Sequence, residues 1–485
     1  MKLRLPFFKK GKKVLPGVLV AVLALSPVLY FGAESLRSVS AGWHDEGNYR
    51  YYIGENGERV VGTQVIDGKT YYFDEDGYLC DDLVTDSAAE NDLHAGTDKP
   101  AGYTETEADP FAEDLLSQYT VGAYTEKLWE GDRVYHENVA FIGQADGTVL
   151  SGSLLYTPDE IVTVRSYDLQ TVYEEGRDFT VSGKKLVLTP NTRIPVCPPE
   201  VVAPYYPEGS LKDVFVTTFD EGRYISLDTS ITVKYSVNVT YTHKDSWTGL
   251  TPKDQLAYLP KFSEKLKNGE DVNIVYFGDS ITVGWEASGL DDYAIVVENC
   301  EEFHAVRNWA PYCSSWAKMV SEGMATRYGS KIHHINRAAS GSTTDWGKKN
   351  AKMLVTPKDP DLVVLAFGMN QTGTSRTDMK RDLQVIMDEI LAECPDTEFV
   401  LVSCMIPNPE ANCFGGQILA EQEKAMYDIQ AEKKYAVAVA PVYSMCMEMI
   451  GHGKTYHDIT GNNFNHPNDF MHRIYAQTVL SVLGQ

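Results

Sequence analysis

The stretch Val272-Asn273-Ile274-Val275-Tyr276-Phe277-Gly278-Asp279-Ser280-Ile281-Thr282 joins an apolar run to a Gly-Asp-Ser turn. The run reads as a buried strand. A serine placed where a strand ends and a helix begins presents its hydroxyl in a sharp turn. Its backbone N–H also joins the positive end of the helix that follows. An acyl-transfer nucleophile needs both features. Gly-Asp-Ser is equally ordinary turn composition, so the reading depends on what the rest of the chain supplies.

From about residue 249 onward, strand and helix patterns alternate. Candidate strands lie at 272–277, 331–336, 361–367, 398–405 and 435–440, with helical patterns between them at Thr377 to Glu393 and Gln417 to Lys434. A continuous apolar run such as Leu362-Val363-Val364-Leu365-Ala366-Phe367 needs cover on both faces, which predicts a parallel sheet with helices on each side. Sites in such sheets lie beyond the carboxyl ends of the strands. Ser280 follows the first strand. Gly341 lies in the loop Arg337-Ala338-Ala339-Ser340-Gly341-Ser342 after the second, and the third ends in Phe367-Gly368-Met369-Asn370. Asn462-Asn463-Phe464-Asn465-His466-Pro467 precedes the last predicted helix.

Gly-Asp-Ser, Gly, Gly-x-Asn and His-Pro, in that order, resemble the four marks of the SGNH (GDSL-type) hydrolases, from about residue 250 to the end. The resemblance implies a flavodoxin-like α/β fold and a serine esterase without metal or cofactor. Ser280 would attack the ester carbonyl, and His466 would take its proton and return it to the leaving alcohol. The Ser280 N–H, the Gly341 N–H and the Asn370 amide would hold the oxyanion, each donor contributing about 2.7–4 kcal/mol in the transition state. One position departs from the pattern: the family places Asp three residues before the His, and here that residue is Asn463. An amide can accept the imidazole N–H but cannot offset imidazolium charge. The expectation is a Ser–His dyad, as in some carbohydrate-esterase relatives, with Asn463 or a neighbouring carbonyl orienting His466. A rival register, Asp469-Phe470-Met471-His472, lacks the following Pro and falls inside the predicted last helix, so His466 is preferred.

Trp285, Trp309, Trp316 and Trp346 follow the first and second strands. Aromatics there suit stacking on sugar rings, with Trp285 and Trp346 the chosen candidates, although Trp most often packs in cores. No long apolar lid marks a lipase. The expected activity is removal of acetyl groups from carbohydrate. Two alternatives stand beside it: a short-chain lipid esterase or thioesterase, and a surface-binding protein that has lost activity.

The rest of the chain bears on where this happens. Lys2, Arg4, Lys9, Lys10, Lys12 and Lys13 precede the apolar run Val14 to Ala33. A basic stretch before an apolar one reads as a signal peptide or uncleaved signal anchor over 1–41. This predicts a secreted or cell-surface protein of a Gram-positive-type bacterium, tethered to the membrane if the signal stays. A formal net charge of -25 excludes nucleic acid and anionic lipid as expected partners. Residues 42–82 hold two units of about 20 residues with Tyr49-Arg50-Tyr51-Tyr52 and Tyr71-Tyr72-Phe73, an aromatic hairpin pattern. They resemble cell-wall-binding repeats, which implies choline or glucan as ligand; a hairpin stalk that binds nothing is the alternative. Residues 83–114 read as an acidic linker. Residues 115–248, with β runs at Thr148 to Tyr156, Ile161 to Arg165, Thr180 to Leu188 and Ile231 to Thr240, read as a β-sandwich that walls one side of the cleft. Eight cysteines at irregular spacing read as free buried thiols, with Cys404–Cys413 and Cys300–Cys313 as pairs that could form. No Cys-x-x-Cys or His-x-x-x-His spacing suggests zinc.

Overall fold

The computed structural model describes residue 119 and residues 121–484 apart from 204–215, 221–222, 227–232 and 412–415. Ahead of these it describes residues 41–80 apart from 47–48, 55–57, 61, 67–68 and 74–78. The apolar run 14–33, the linker 83–114 and Cys413 lie outside the described residues. The chain divides into two compact units, one of them Leu25–Ala108 and the other holding Asp109–Gln485.

In the smaller unit, Gly42–Glu46 pairs antiparallel with Tyr49–Ile53, and Gly62–Ile66 with Lys69–Phe73. The two hairpins repeat at an offset of 20 residues, from Gly42 to Gly62. Each aromatic strand pairs with the strand before it and also with a short segment after the next turn, Tyr72 with Cys80 and Ile53 with Arg59. Trp43 meets Tyr52 edge-on at 5.3 Å, and His44 stacks on Tyr51.

In the larger unit, five parallel strands form one sheet: Val272–Gly278, Ile332–Asn336, Leu362–Ala366, Glu398–Val402 and Val437–Ala440. Their spatial order is second, first, third, fourth, fifth, the flavodoxin-like order. Alternation of side chains along each strand divides the apolar residues between two cores. Ile274, Tyr276, Val364 and Val400 enter one; Val275, Phe277, Val363, Leu365 and Leu401 enter the other. Helices Thr344–Leu354, Arg376–Leu391 and Gly416–Glu432 cover the second face. Trp316–Tyr328, Val442–Gly451 and Asp469–Val482 cover the first.

Ahead of this sheet the chain forms a five-stranded antiparallel sheet in which Arg133–Gly143 and Ser236–His243 are central, together with separate hairpins at Phe179–Leu188 and Val216–Ser226. The strands are antiparallel as expected; Ala140, Ile142, Cys197 and Val202 form a small cluster of their own, but the sheet shares its main core with the parallel one. Val139, Phe141, Val164, Val237 and Val239 share one hydrophobic cluster with Tyr276, Trp316 and Tyr475. The last helix lies in that shared core, every residue from Phe470 to Val482 buried. A helix buried all round must satisfy its polar side chains internally. Arg473 donates to the Tyr135 carbonyl at 2.7 Å, and Gln477 accepts from the Leu128 N–H at 3.0 Å. Cys300 and Cys313 are free thiols, so that pair does not form.

Lys454, just after the helix Val442–Gly451, joins Glu137 of the antiparallel sheet through an ion pair of 2.9 Å with both side chains fully buried. Lys454 also donates to the Asn138 carbonyl (2.6 Å), and Glu137 accepts from the Tyr241 hydroxyl (2.7 Å) and the Leu155 N–H (3.0 Å). Removing one partner leaves the other charge buried and unmatched. Lys454→Met should cost about 3–5 kcal/mol in urea unfolding, and the double variant with Glu137→Gln should recover most of it.

Candidate active site

The first and third strands end side by side, and Gly278 is the point of closest approach. A Cβ there would lie 2.3 Å from the Ala366 carbonyl oxygen and 2.4 Å from Thr282 Oγ1, so only glycine fits. The chain then turns through Asp279, whose Oδ1 caps the short helix Ser280–Val283 by accepting the Ile281 N–H at 3.0 Å. Burial raises the Asp279 carboxyl to about 7, partly offset by the N–H groups of Ile281, Met369 and Gly368. The Asp279 N–H donates to the Ala366 carbonyl at 3.3 Å, tying the turn that carries Ser280 to the end of the third strand.

Ser280 is buried, with Oγ 2.9 Å from His466 Nε2. Gly341 sits in the neighbouring loop at φ 76. A Cβ there would meet no protein atom within 4 Å, so the left-handed backbone, not crowding by the protein, asks for glycine. The Asn370 amide nitrogen donates to the Ser342 carbonyl at 3.0 Å, tying the third-strand loop to the one that holds Gly341. An amide nitrogen has two hydrogens; the second is left for a ligand oxygen.

Asn463 is not beside His466. It is buried at φ 56, its amide donates to the Val202 carbonyl (2.9 Å), and its own carbonyl accepts from Asn408 Nδ2 (2.7 Å). It pins the loop to the antiparallel sheet side of the molecule. The residue against the imidazole is Asn462, four positions before His466, with Nδ2 3.1 Å from His466 Nδ1. Asn462 Oδ1 accepts the N–H groups of Phe464, Asn465 and His466, each at 3.0 Å. Asx-turn chemistry, a side-chain oxygen capping the N–H groups that follow, was the available signal for it.

His472 has a structural role. Its Nδ1 accepts the Trp316 N–H at 3.3 Å and its Nε2 donates to the Trp285 carbonyl at 3.2 Å. Trp285 lies next to the site, half-buried, its indole N–H donating to Ser340 Oγ at 2.7 Å. Trp346 does not line it: its ring packs on Phe277 in the second core, and its N–H is spent on the Val297 carbonyl. Trp316 is fully buried. Trp309 is the exposed one, at 53%, with the Arg307 guanidinium 4.6 Å from its ring centre. Arg307 in turn pairs with Glu286 at 2.6 Å. Sequence reasoning missed Arg307 and Glu286, for nothing in their spacing marks them.

The electrostatics disfavour the imidazolium. Burial lowers the His466 pKa to about 3, with Arg307 and His472 adding to the effect. Burial likewise brings His472 to about 4, opposed by its bond to the Trp285 carbonyl.

Residues 276–474 match the family described as GDSL-like Lipase/Acylhydrolase. No curated protein matches the chain. Similar solved structures include a two-domain esterase active on acetylated mannans, co-crystallized with mannopentaose. It shows 20% identity over 47% of this chain and 53% of that one, with a TM-score of 0.35. Another is an acetylxylan esterase from Geobacillus stearothermophilus, 16% identical over 45% of this chain and 97% of that one, TM-score 0.35. The chain thus spans about half the length of the first.

A base held neutral to low pH sets the acid limb of the rate profile. The kcat/KM for a neutral aryl acetate should stay level from pH 7 to about pH 5, well below the imidazole value of about 6.5. An inflection near 6.5, in protein still folded by circular dichroism, contradicts the burial argument. His466→Ala should lower the rate by about 10³-fold or more, while His472→Ala should act mainly on the unfolding midpoint.

Proposed function

We propose that the larger unit is a serine esterase that removes short acyl groups, acetyl above all, from carbohydrate. The observation that carries this is the 2.9 Å contact of Ser280 Oγ with His466 Nε2, beside Gly341 and Asn370 at the ends of neighbouring strands. In the reading this supports, Oγ bonds to the ester carbonyl carbon while its proton passes to Nε2. The carbonyl oxygen takes the negative charge against the N–H groups of Ser280 and Gly341 and the Asn370 amide. Nε2–H then protonates the leaving sugar oxygen as the C–O bond breaks. Water repeats the cycle on the acyl-serine.

Carbohydrate is favoured by what flanks His466. Arg307 is near enough to depress the imidazole, and it lies over one face of the exposed Trp309 ring while paired with Glu286. A flat apolar face next to a charged donor and acceptor suits the apolar face and hydroxyls of a sugar ring. We also propose export to the cell surface, supported by the six basic residues ahead of Val14 to Ala33, and contact with wall choline or glucan through the hairpins, supported by their repeated aromatic strands.

Ser280→Ala should abolish acetate release from acetylated oligosaccharides and labelling by a serine-directed phosphonate; retained labelling refutes the nucleophile. Trp309→Ala should raise KM for acetylated oligosaccharide by about tenfold and leave kcat/KM for p-nitrophenyl acetate within about twofold. Faster turnover of p-nitrophenyl octanoate than of the acetate would favour a lipid esterase instead.

A further inference from the structure

The pair Asn462–His466 has a direction built into it. Three backbone N–H groups converge on one side of the Asn462 amide, at 3.0 Å each. Only the oxygen can face three donors, so the amide cannot turn over without setting its NH2 against them. The NH2 is therefore the group that faces His466 Nδ1 at 3.1 Å, with a second contact to Asn465 Oδ1 at 3.3 Å. A donor opposite Nδ1 requires a lone pair there, which puts the imidazole proton on Nε2.

We propose that Asn462 is a positioning residue that holds His466 in the tautomer protonated on Nε2, so that the resting dyad aims an N–H, not a lone pair, at Ser280. The proposal rests on the esterase reading of the site and adds a restraint to it. Before attack, one proton must leave Nε2 for solvent and one must arrive at Nδ1, so that the Nε2 lone pair can take the Ser280 proton. Both the Nδ1–H tautomer and the imidazolium set a ring N–H against the Asn462 NH2. The reactive form is thus a minority of the folded protein. Among the described residues no other charged group acting on the ring compensates. Arg307, held by Glu286, and His472 both disfavour added positive charge, and Asp469 beyond them accepts the Ser288 N–H at 2.8 Å. A carboxylate in place of the amide would reverse the preference. One oxygen of Asn462→Asp would keep the three backbone N–H groups, and the other would accept Nδ1–H, with Asn465 turning its amide to donate. In a serine protease the opposite change, Asp to Asn, costs about 10⁴ in rate through the same tautomer error.

The test begins on the unaltered protein. With 15N-labelled histidine, the His466 signals, assigned by their loss in His466→Ala, should show a protonated Nε2 and a bare Nδ1 at pH 7.5. A protonated Nδ1 overturns the proposal and leaves the esterase reading standing. In Asn462→Asp the two nitrogens should exchange roles. The kcat/KM for an aryl acetate should rise by about tenfold or more, the order set by removing a buried donor–donor conflict. The acid limb should move up by about 1–3 pH units. A folded Asn462→Asp with unchanged nitrogens and an unchanged limb also overturns it. A protonated Nε2 in protein that hydrolyses no ester, before or after the substitution, upholds the tautomer and refutes the esterase reading.

Discussion

The buried pair of Lys454 and Glu137 anchors the start of the segment that places His466. Lys454 opens the segment that carries His466, and that segment is held from both sides: Asn408, after the fourth parallel strand, binds the carbonyls of Asn463 and Phe464, and other holds come from the antiparallel side of the molecule. Gly453 gives its carbonyl to the Ser153 N–H at 2.8 Å, Asp458 accepts the Ala140 N–H at 2.7 Å, and Asn463 donates to the Val202 carbonyl. Ser280 and Asn370, by contrast, are fixed by the parallel sheet alone. Ser280 and His466 therefore sit on segments with different anchors, and their 2.9 Å contact requires both segments to keep their places. A buried ion pair adds little net stability when compared with apolar residues of the same shape. It does penalise any slippage that would leave one charge unmatched, which is what a divided site needs.

The parallel sheet supplies the other half by geometry. The strand order reverses direction between the first strand and its two neighbours, and the loops above that point diverge to leave a crevice. Gly278 lets the first and third strands approach closely where they end. Ser280 leaves on one side of that contact and Asn370 on the other, while Gly341 comes in from the second strand. Three groups spread over ninety residues of sequence reach one place because three adjacent strands stop at the same level.

Most of this was legible because it follows from local pattern. The five apolar runs became the five strands with ends shifted by few residues, since a parallel strand buried on both faces has little freedom in composition. The longest antiparallel strand, Arg133–Gly143 with 11 residues, was invisible. His136, Glu137 and Asn138 break its apolar run, and only the structure shows that Lys454 and Asn468 are there to satisfy Glu137 and Asn138. The same limit separated Asn463 from Asn462. Spacing counted from the family pattern selected position 463. Its left-handed backbone sends that side chain away to Val202, and the residue before it reaches the ring. Trp346 and Trp309 were exchanged for a similar reason: a loop position is readable in sequence, but which face of the loop is wet is not.

The terms around His466 share one sign. Burial, Arg307 and the Asn462 amide each oppose positive charge on the ring, so in the proposed mechanism an imidazolium formed on attack would gain little from its surroundings. In a hydrolase with a carboxylate behind the histidine, stabilisation is divided between the imidazolium and the oxyanion. Here the division must be uneven. In the proposed oxyanion hole the Ser280 and Gly341 N–H groups and the Asn370 amide lie at the start of a short helix and among tight turns. They are neutral donors that no change of pH removes. On the proposed reading the proton side is restrained and the oxyanion side is fixed, an arrangement that would suit conditions acid enough to charge an ordinary histidine. It also explains why an asparagine can stand where a carboxylate usually does without the fold changing around it: the amide oxygen is committed to three backbone N–H groups, and the loop keeps its shape whichever way the ring titrates.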